Sequence, residues 1–209
     1  NVKELDSFLT EVKTKFRDIL HDYIVSIVVS SKIFKLHKLL LGEKQEMIKF
    51  DKYTEDHKEI ELDDKDKKIL KFLSQEAKLS LIDLSDKTGF TLDTVKYRVK
   101  DLTQKIVSSF RIIVDMNKMG YFHYVAMLKI RNASSKEEED LISWCANRKN
   151  VMYITKRIGT FDYEINVAIT DINDLNSFFS EIKSKFGNII DSHELIINSR
   201  LLKLNFLPV

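Results

Sequence analysis

The residues of this chain with the clearest capacity for chemistry are the lysines and arginines between positions 91 and 111. The segment carries five basic side chains against two acidic ones, a local charge of +3. The basic residues are Lys96, Arg98, Lys100, Lys105 and Arg111, and the acids are Asp93 and Asp101. Such a segment can contact the phosphates of nucleic acid, with an affinity that depends on salt. The alternative is that the charges only solvate one face of a helix.

Patterns for catalysis or metal binding are missing from the sequence. The histidines have no metal-ligand spacing, and one cysteine, Cys145, cannot build a zinc cluster. The sequence has neither a glycine-rich phosphate loop nor a nucleophile elbow. We therefore predict no catalytic residue, no cofactor, no metal and no enzymatic activity, with Cys145 packed in a core. A single cysteine and the lack of a membrane-length apolar run indicate a cytoplasmic protein that does not enter a membrane.

Three short helices are predicted to position the basic segment. Residues 62 to 73 begin with the N-cap Asp63, and Ser80 begins the second helix. Gly89 supplies the tight turn, and Thr91 caps a third helix that buries Val95, Val99 and Leu102. The residues predicted to face outward on that helix are Leu92, Asp93, Lys96, Tyr97 and Lys100. With a strand-like wing at 106 to 115, the pattern predicts a winged helix-turn-helix over residues 62 to 115.

The C-terminal part, residues 116 to 209, alternates strands and helices. Strands are predicted at 122 to 130, 151 to 158, 161 to 169 and 193 to 199, with a capping-box helix beginning at Ser134. Gly159 and Thr160 join the two central strands as a hairpin. The order β-α-β-β-α-β is that of a ferredoxin-like domain. Its helices would cover one face of an antiparallel sheet and leave the other face free.

A short sequence pattern occurs twice in the chain. DSFLTEVKTKF at 6 to 16 matches NSFFSEIKSKF at 176 to 186 in its apolar and charged positions, and a β-rich run follows each copy, YIVSIVV at 23 to 29 after the first. We therefore expect residues 1 to 41 to be the C-terminal half of another ferredoxin-like domain, followed by a charged linker at 42 to 61. The natural protein would then be a tandem array whose front half is absent from this sequence, or residues 1 to 41 would dock onto a partner. Chance similarity of two lysine-rich helices is the alternative. The predicted fold class is α+β.

These motifs together resemble the Lrp/AsnC family of transcriptional regulators. The resemblance rests on Leu62-Asp63, on Ser80 to Leu84, on Gly89-Phe90-Thr91 and on Gly159-Thr160-Phe161-Asp162, and the ending LKLNFLP is similar to archaeal members. Two positions depart from the family pattern. No glycine precedes the wing, and Ser85 replaces the usual alanine.

The resemblance implies a sequence-specific regulator that binds double-stranded DNA and forms a homo-oligomer through its C-terminal, RAM-type domain. The DNA-binding residues it implies are Thr91, Leu92, Asp93, Thr94, Lys96, Tyr97, Arg98, Lys100 and Arg111. An amino-acid-like effector is expected at Gly159, Thr160 and Asp162, where the alternative is a plain hairpin turn. Two other functions stay open: a metabolite sensor or scaffold that does not bind DNA, and an enzyme similar to the sirohaem decarboxylases. The Tyr-x-Arg…His pattern of those enzymes is incomplete here, since residues 153 to 160 contain no histidine.

Overall fold

The computed structural model describes residues 2–34, 39, 47–48, 60–107, 110 and 114–199. Helix α1 (Val2–Lys15) opens the chain and is followed by strand β1 (Ile27–Phe34). The short strand β2 (Met47–Ile48) pairs antiparallel with the end of β1. Three predicted segments are described only in part or not at all. Most of the linker at 42 to 61, half of the wing at 106 to 115 (including Arg111) and the whole tail from residue 200 lie outside the described residues. The described wing residues have no strand structure.

Three helices form the helix-turn-helix unit, and their predicted N-caps are confirmed. Helix α2 (Asp64–Gln75) is capped by Asp63, α3 (Leu81–Thr88) by Ser80 and α4 (Leu92–Lys105) by Thr91. One residue from each helix, Ile69, Leu84 and Val95, is at most 1% exposed in the shared core. This core fixes the direction in which α4 presents its outer face.

The ferredoxin-like domain follows. Its elements are β3 (Phe122–Ile130), α5 (Ser135–Ala146), β4 (Val151–Ile158), β5 (Tyr163–Ile169), α6 (Ile172–Phe186) and β6 (Ile190–Asn198). Among the described residues the strands form one antiparallel sheet in the order β2-β1-β4-β5-β3-β6. Its last four strands have the ferredoxin-like order, so the predicted fold class is confirmed for the helix-turn-helix and the domain after it.

The main core lies between the sheet and helices α5 and α6. Alternate residues of β5 face this core, since Tyr163, Ile165, Val167 and Ile169 are all nearly fully buried on this side. Trp144 of α5 packs against Phe178 and Phe186 of α6, with ring centroids 5.4 Å and 5.9 Å apart. Cys145 is buried in the same cluster, as predicted.

The first strand begins later than the sequence predicted. The apolar run at 23 to 29 favours a strand, but residues 20 to 26 have no strand structure and β1 starts at Ile27. A strand exists only where a partner satisfies its backbone groups, and the edge of β4 begins to supply that partner at Ile27, which pairs with Ile158. At its other end, β1 places Phe34 in the main core, where this side chain is 2% exposed.

Candidate nucleic-acid interface and effector turn

The turn before α4 is held by hydrogen bonds that the sequence pattern only partly indicated. Gly89 ends α3 in the left-handed conformation, with φ +72°. The Ser85 hydroxyl donates to the carbonyl oxygen of Phe90 at 2.6 Å, and Lys68 donates to the carbonyl oxygen of Thr88 at 2.9 Å. Ser85 therefore stabilises the turn. The small size of the Ser85 side chain was the only feature of the sequence that indicated its position here.

Two threonines cap the N-terminus of α4. The Thr91 side chain accepts from the backbone N–H of Thr94, and the two hydroxyl oxygens lie 2.8 Å apart. Val95 is fully buried one turn further on. The cap and this anchor hold the first turn of α4 in place.

The outward-facing residues of α4 are found as predicted, and we call Leu92, Asp93, Lys96, Tyr97 and Lys100 the α4 surface. All five are exposed, Leu92 at 46% and Tyr97 at 72%. Among the described residues, neither Lys96 nor Lys100 makes an ion pair. They are four residues apart and so lie on the same face of the helix.

Arg98 takes a different position from the one its charge suggested. Its guanidinium Nη1 lies 2.6 Å from Asp63 Oδ2 and 2.8 Å from Asp66 Oδ1, at the start of α2. The two carboxylates raise the pKa of Arg98, Asp66 having the larger effect. The hydrogen bond from the Asp66 N–H is in turn the main reason that the pKa of Asp63 is lowered. Arg98 thus ties α4 to α2, a contact across 32 residues that helix patterns do not indicate.

The local charge is therefore smaller than the sequence count. Lys105 pairs with Asp101 at 2.7 Å, so its charge is also compensated within the helix. Arg111 lies outside the described residues. Within the described part of α4, the uncompensated positive charge is concentrated at Lys96 and Lys100.

The predicted effector residues lie at the β4–β5 turn. Gly159 has φ +150°, and a Cβ there would lie 3.0 Å from the carbonyl oxygen of Val25, so the segment before β1 covers the turn closely. The Asp162 carboxylate accepts from the backbone N–H of Ile130 at 2.8 Å and from Lys129 Nζ at 3.2 Å. Thr160 is exposed. Asp162 therefore already ties the turn to the end of β3.

A chain of polar side chains crosses the face of the sheet opposite the helices. His123 Nε2 lies 2.7 Å from Asn166 Oδ1, Asn166 donates to Glu164 at 2.8 Å, and Glu164 accepts from Arg157 Nε at 2.7 Å. Asn166 is only 1% exposed. Strand alternation alone places His123, Glu164 and Asn166 on one face of the sheet, but their hydrogen bonds depend on the cross-strand register, which a sequence pattern does not supply. Tyr153 lies beside His123, and burial raises the pKa of Tyr153 to about 12.

Over the described ranges, no group of three or more histidine, cysteine or acidic side chains is arranged to hold a metal ion. Over the same ranges, no helix has the length and apolar character needed to cross a membrane.

Comparison with known proteins agrees with these two units. A family model described as winged helix-turn-helix DNA-binding matches residues 62–105. An uncharacterised HTH-type transcriptional regulator of Pyrococcus furiosus is 28% identical over 128 residues, which are 60% of this chain and 82% of that protein. The structure of E. coli AsnC superposes with a TM-score of 0.57 at 20% identity and covers 71% of this chain and 99% of that one. A transcriptional regulator from Neisseria meningitidis, solved in complex with L-Met, gives a TM-score of 0.62 at 21% identity over 71% and 97% of the two chains.

The structure combines a helix-turn-helix unit, whose helices α2 to α4 lie within the residues matched by the winged helix-turn-helix model, with a ferredoxin-like C-terminal domain. The chain is similar to HTH-type transcriptional regulators, and this similarity agrees with the resemblance to the Lrp/AsnC family seen in its sequence.

Proposed function

We propose that this regulator reads double-stranded DNA by laying the α4 surface in the major groove, and that it acts by binding rather than by catalysis. The observation that carries the proposal is the contrast along α4. Arg98 and Lys105 are held by acidic partners, whereas Lys96 and Lys100 project from the exposed face with no acidic partner in the part of the chain that the structure describes. A recognition helix has to be packed against its domain on one side, and the side chains on its other side have to be available to contact DNA.

The residues of α4 divide by what they can reach. Lys96 and Lys100 bind phosphates and supply the salt-dependent part of the affinity. Tyr97 and Leu92 are exposed enough to contact base edges, and Asp93 can accept a hydrogen bond from the amino group of cytosine. Thr91 and Thr94 hold the helix N-terminus, whose N–H groups favour a phosphate. Arg98 is a positioning residue that keeps α4 at its angle to α2.

We also propose that the protein works as a homo-oligomer through its C-terminal domain. Strand β6 supports this, because Leu195, Ile196 and Ile197 on it are between 41% and 63% exposed. A strand edge of this kind offers a second copy both apolar side chains and backbone hydrogen-bonding groups. A dimer would present two α4 helices to half-sites about one helical turn apart, or a multiple of that distance.

An amino-acid-like effector at Gly159, Thr160 and Asp162 remains part of the proposal. The L-Met complex of the Neisseria relative favours this ligand class. An incoming ammonium group would compete with Lys129 for the Asp162 carboxylate, so binding would loosen the tie between the turn and β3. Calorimetric titration with amino acids, repeated on the Asp162→Ala variant, tests this. Equal heats from the two proteins would place the ligand elsewhere.

The DNA proposal is tested by the salt dependence of binding. We compare the parent with the double variant Lys96→Ala/Lys100→Ala, using fluorescence anisotropy on a labelled genomic fragment. The matched control is Lys136→Ala/Lys185→Ala, which removes the same charge from exposed positions of the ferredoxin-like domain. We expect the slope of log affinity against log salt to fall by about 2 per α4 helix for the first pair and to stay unchanged for the control. Equal slopes for the two pairs would exclude α4 as the phosphate-binding helix.

A further inference from the structure

The two copies of the repeated helix differ sharply in burial. In α6 the apolar stripe is covered, with exposures of 3% at Leu175, 4% at Phe178, 2% at Ile182 and 8% at Phe186. The matching stripe of the first copy is more open: exposures are 41% at Leu5, 59% at Phe8 and 43% at Phe16, and Leu9 and Val12 are half-buried. No residue of α1 is buried. The same surface therefore has a partner in one copy and, among the described residues, none in the other.

The structure of the second copy identifies what such a stripe covers. The α6 stripe packs on the sheet and on α5, where Phe178 and Phe186 both contact Trp144. At the matching positions of the first copy the side chains are again phenylalanines, Phe8 in α1 and Phe16 directly after it. These are the positions that would meet an aromatic ring on a neighbouring helix, so α1 retains the pattern for covering a sheet and its first helix.

The segment after α1 also differs from the matching segment of the second copy. In the second copy, α6 is followed by β6, which pairs with β3 along its length. The matching residues of the first copy, 20 to 26, have no strand structure, and the apolar Ile24 is 63% exposed. Among the described residues, the first copy therefore has no strand equivalent to β3 with which residues 20 to 26 could pair. It also has no sheet face for α1 to cover.

We propose that residues 2 to 34 form the second half of another ferredoxin-like domain. The occupant of the α1 stripe would be a strand–helix–strand unit, built like residues 122 to 158, that precedes these residues in the same polypeptide. A second copy of this chain is a poorer source, because its own sheet face is already covered by α6. Strand β1 pairs with β4 and places Phe34 in the main core, so it would then join the two ferredoxin-like domains edge to edge.

The fit of the α1 stripe is tested by a helix exchange in the full chain. Residues 172–186 are replaced with the sequence of residues 2–16, and Gly187 is kept because a Cβ there would lie 2.5 Å from the carbonyl oxygen of Lys183. Inside the stripe this changes only Phe179 to leucine and Ile182 to valine. We expect the chimera to fold with a melting temperature within about 10 °C of the parent.

The control chimera carries aspartate at position 178, the place of Phe8, and is expected to lose the cooperative transition of this domain. If the first chimera behaves like this control, the α1 stripe does not fit a ferredoxin-like sheet and the proposal is wrong.

The source of the occupant is tested by the intact mass of the native protein, captured from its own cells with an antibody against residues 60–107. We expect a polypeptide longer than 209 residues by at least the ~30 residues of a strand–helix–strand unit, located before residue 1. A native protein with no such unit before residue 1 would overturn the proposal, whatever the chimera does.

Discussion

Replacing Phe34 with alanine should destabilise the C-terminal domain, although Phe34 lies far from that domain in the sequence. The side chain is 2% exposed and belongs to the core formed by the sheet, α5 and α6. Removing a buried phenyl ring loses its transfer free energy and leaves a cavity, which together cost about 3–5 kcal/mol. That is a large share of the ~5–15 kcal/mol by which a domain is normally stable.

The assay is urea unfolding followed by the fluorescence of Trp144, the one tryptophan of the chain, which lies in the same core. With a dependence of about 2 kcal/mol per molar urea, the midpoint should fall by roughly 2 M. The matched control is Ile27→Ala at the other end of β1, where the side chain is 60% exposed. This variant should move the midpoint by no more than about 0.5 M.

Equal midpoints for Phe34→Ala and the parent would refute the reasoning. They would mean that β1 does not complete the β4 edge in solution, and the link between the first segment and the C-terminal domain would be lost.

Three further predictions concern single residues. Ser80→Ala removes the N-cap of α3 and should lower the free energy of unfolding by about 1 kcal/mol in a denaturant titration, whereas a change below the error would leave the cap without a measurable role. The Ser80 hydrogen bonds lower the pKa of Asp83, so its carboxylate stabilises the fold above the ordinary pKa of 3.8, and this stabilisation is lost as the pH falls below that value. Asp83→Asn should therefore flatten the acidic part of a curve of unfolding free energy against pH. An unchanged curve would contradict this. Burial raises the pKa of the Cys145 thiol, so at pH 8 its labelling by a disulfide reagent should follow global unfolding, and rapid labelling of the native protein would count against the buried position.

Much of the helix-turn-helix could be predicted from the sequence because its signals are local. Asp63, Ser80 and Thr91 each precede an apolar helical pattern, and each accepts a backbone N–H in the structure. The capping box at Ser134 follows the same rule. Caps are decided within four residues, so the chain needs no tertiary information to place them.

The features that the sequence did not indicate depend on distant partners. The positive charge of Arg98 fits phosphate binding equally well until α2 brings Asp63 and Asp66 beside it. The apolar run at 23 to 29 is a good strand sequence, but pairing with β4 shifts the strand to Ile27–Phe34. In both cases the residue types were identified correctly, and the tertiary contact determined what they do.

The central claim is that α4 reads DNA sequence, and the most direct test is selection from random genomic fragments. The parent protein and the variant Lys96→Glu/Lys100→Glu are each incubated with the same fragments, and the bound DNA is sequenced. A thermal melt of the variant first establishes that its helix-turn-helix is folded. We expect the parent to enrich fragments that share one sequence and the folded variant to enrich none. Equal enrichment by both proteins, or no enrichment by the parent, would contradict the account.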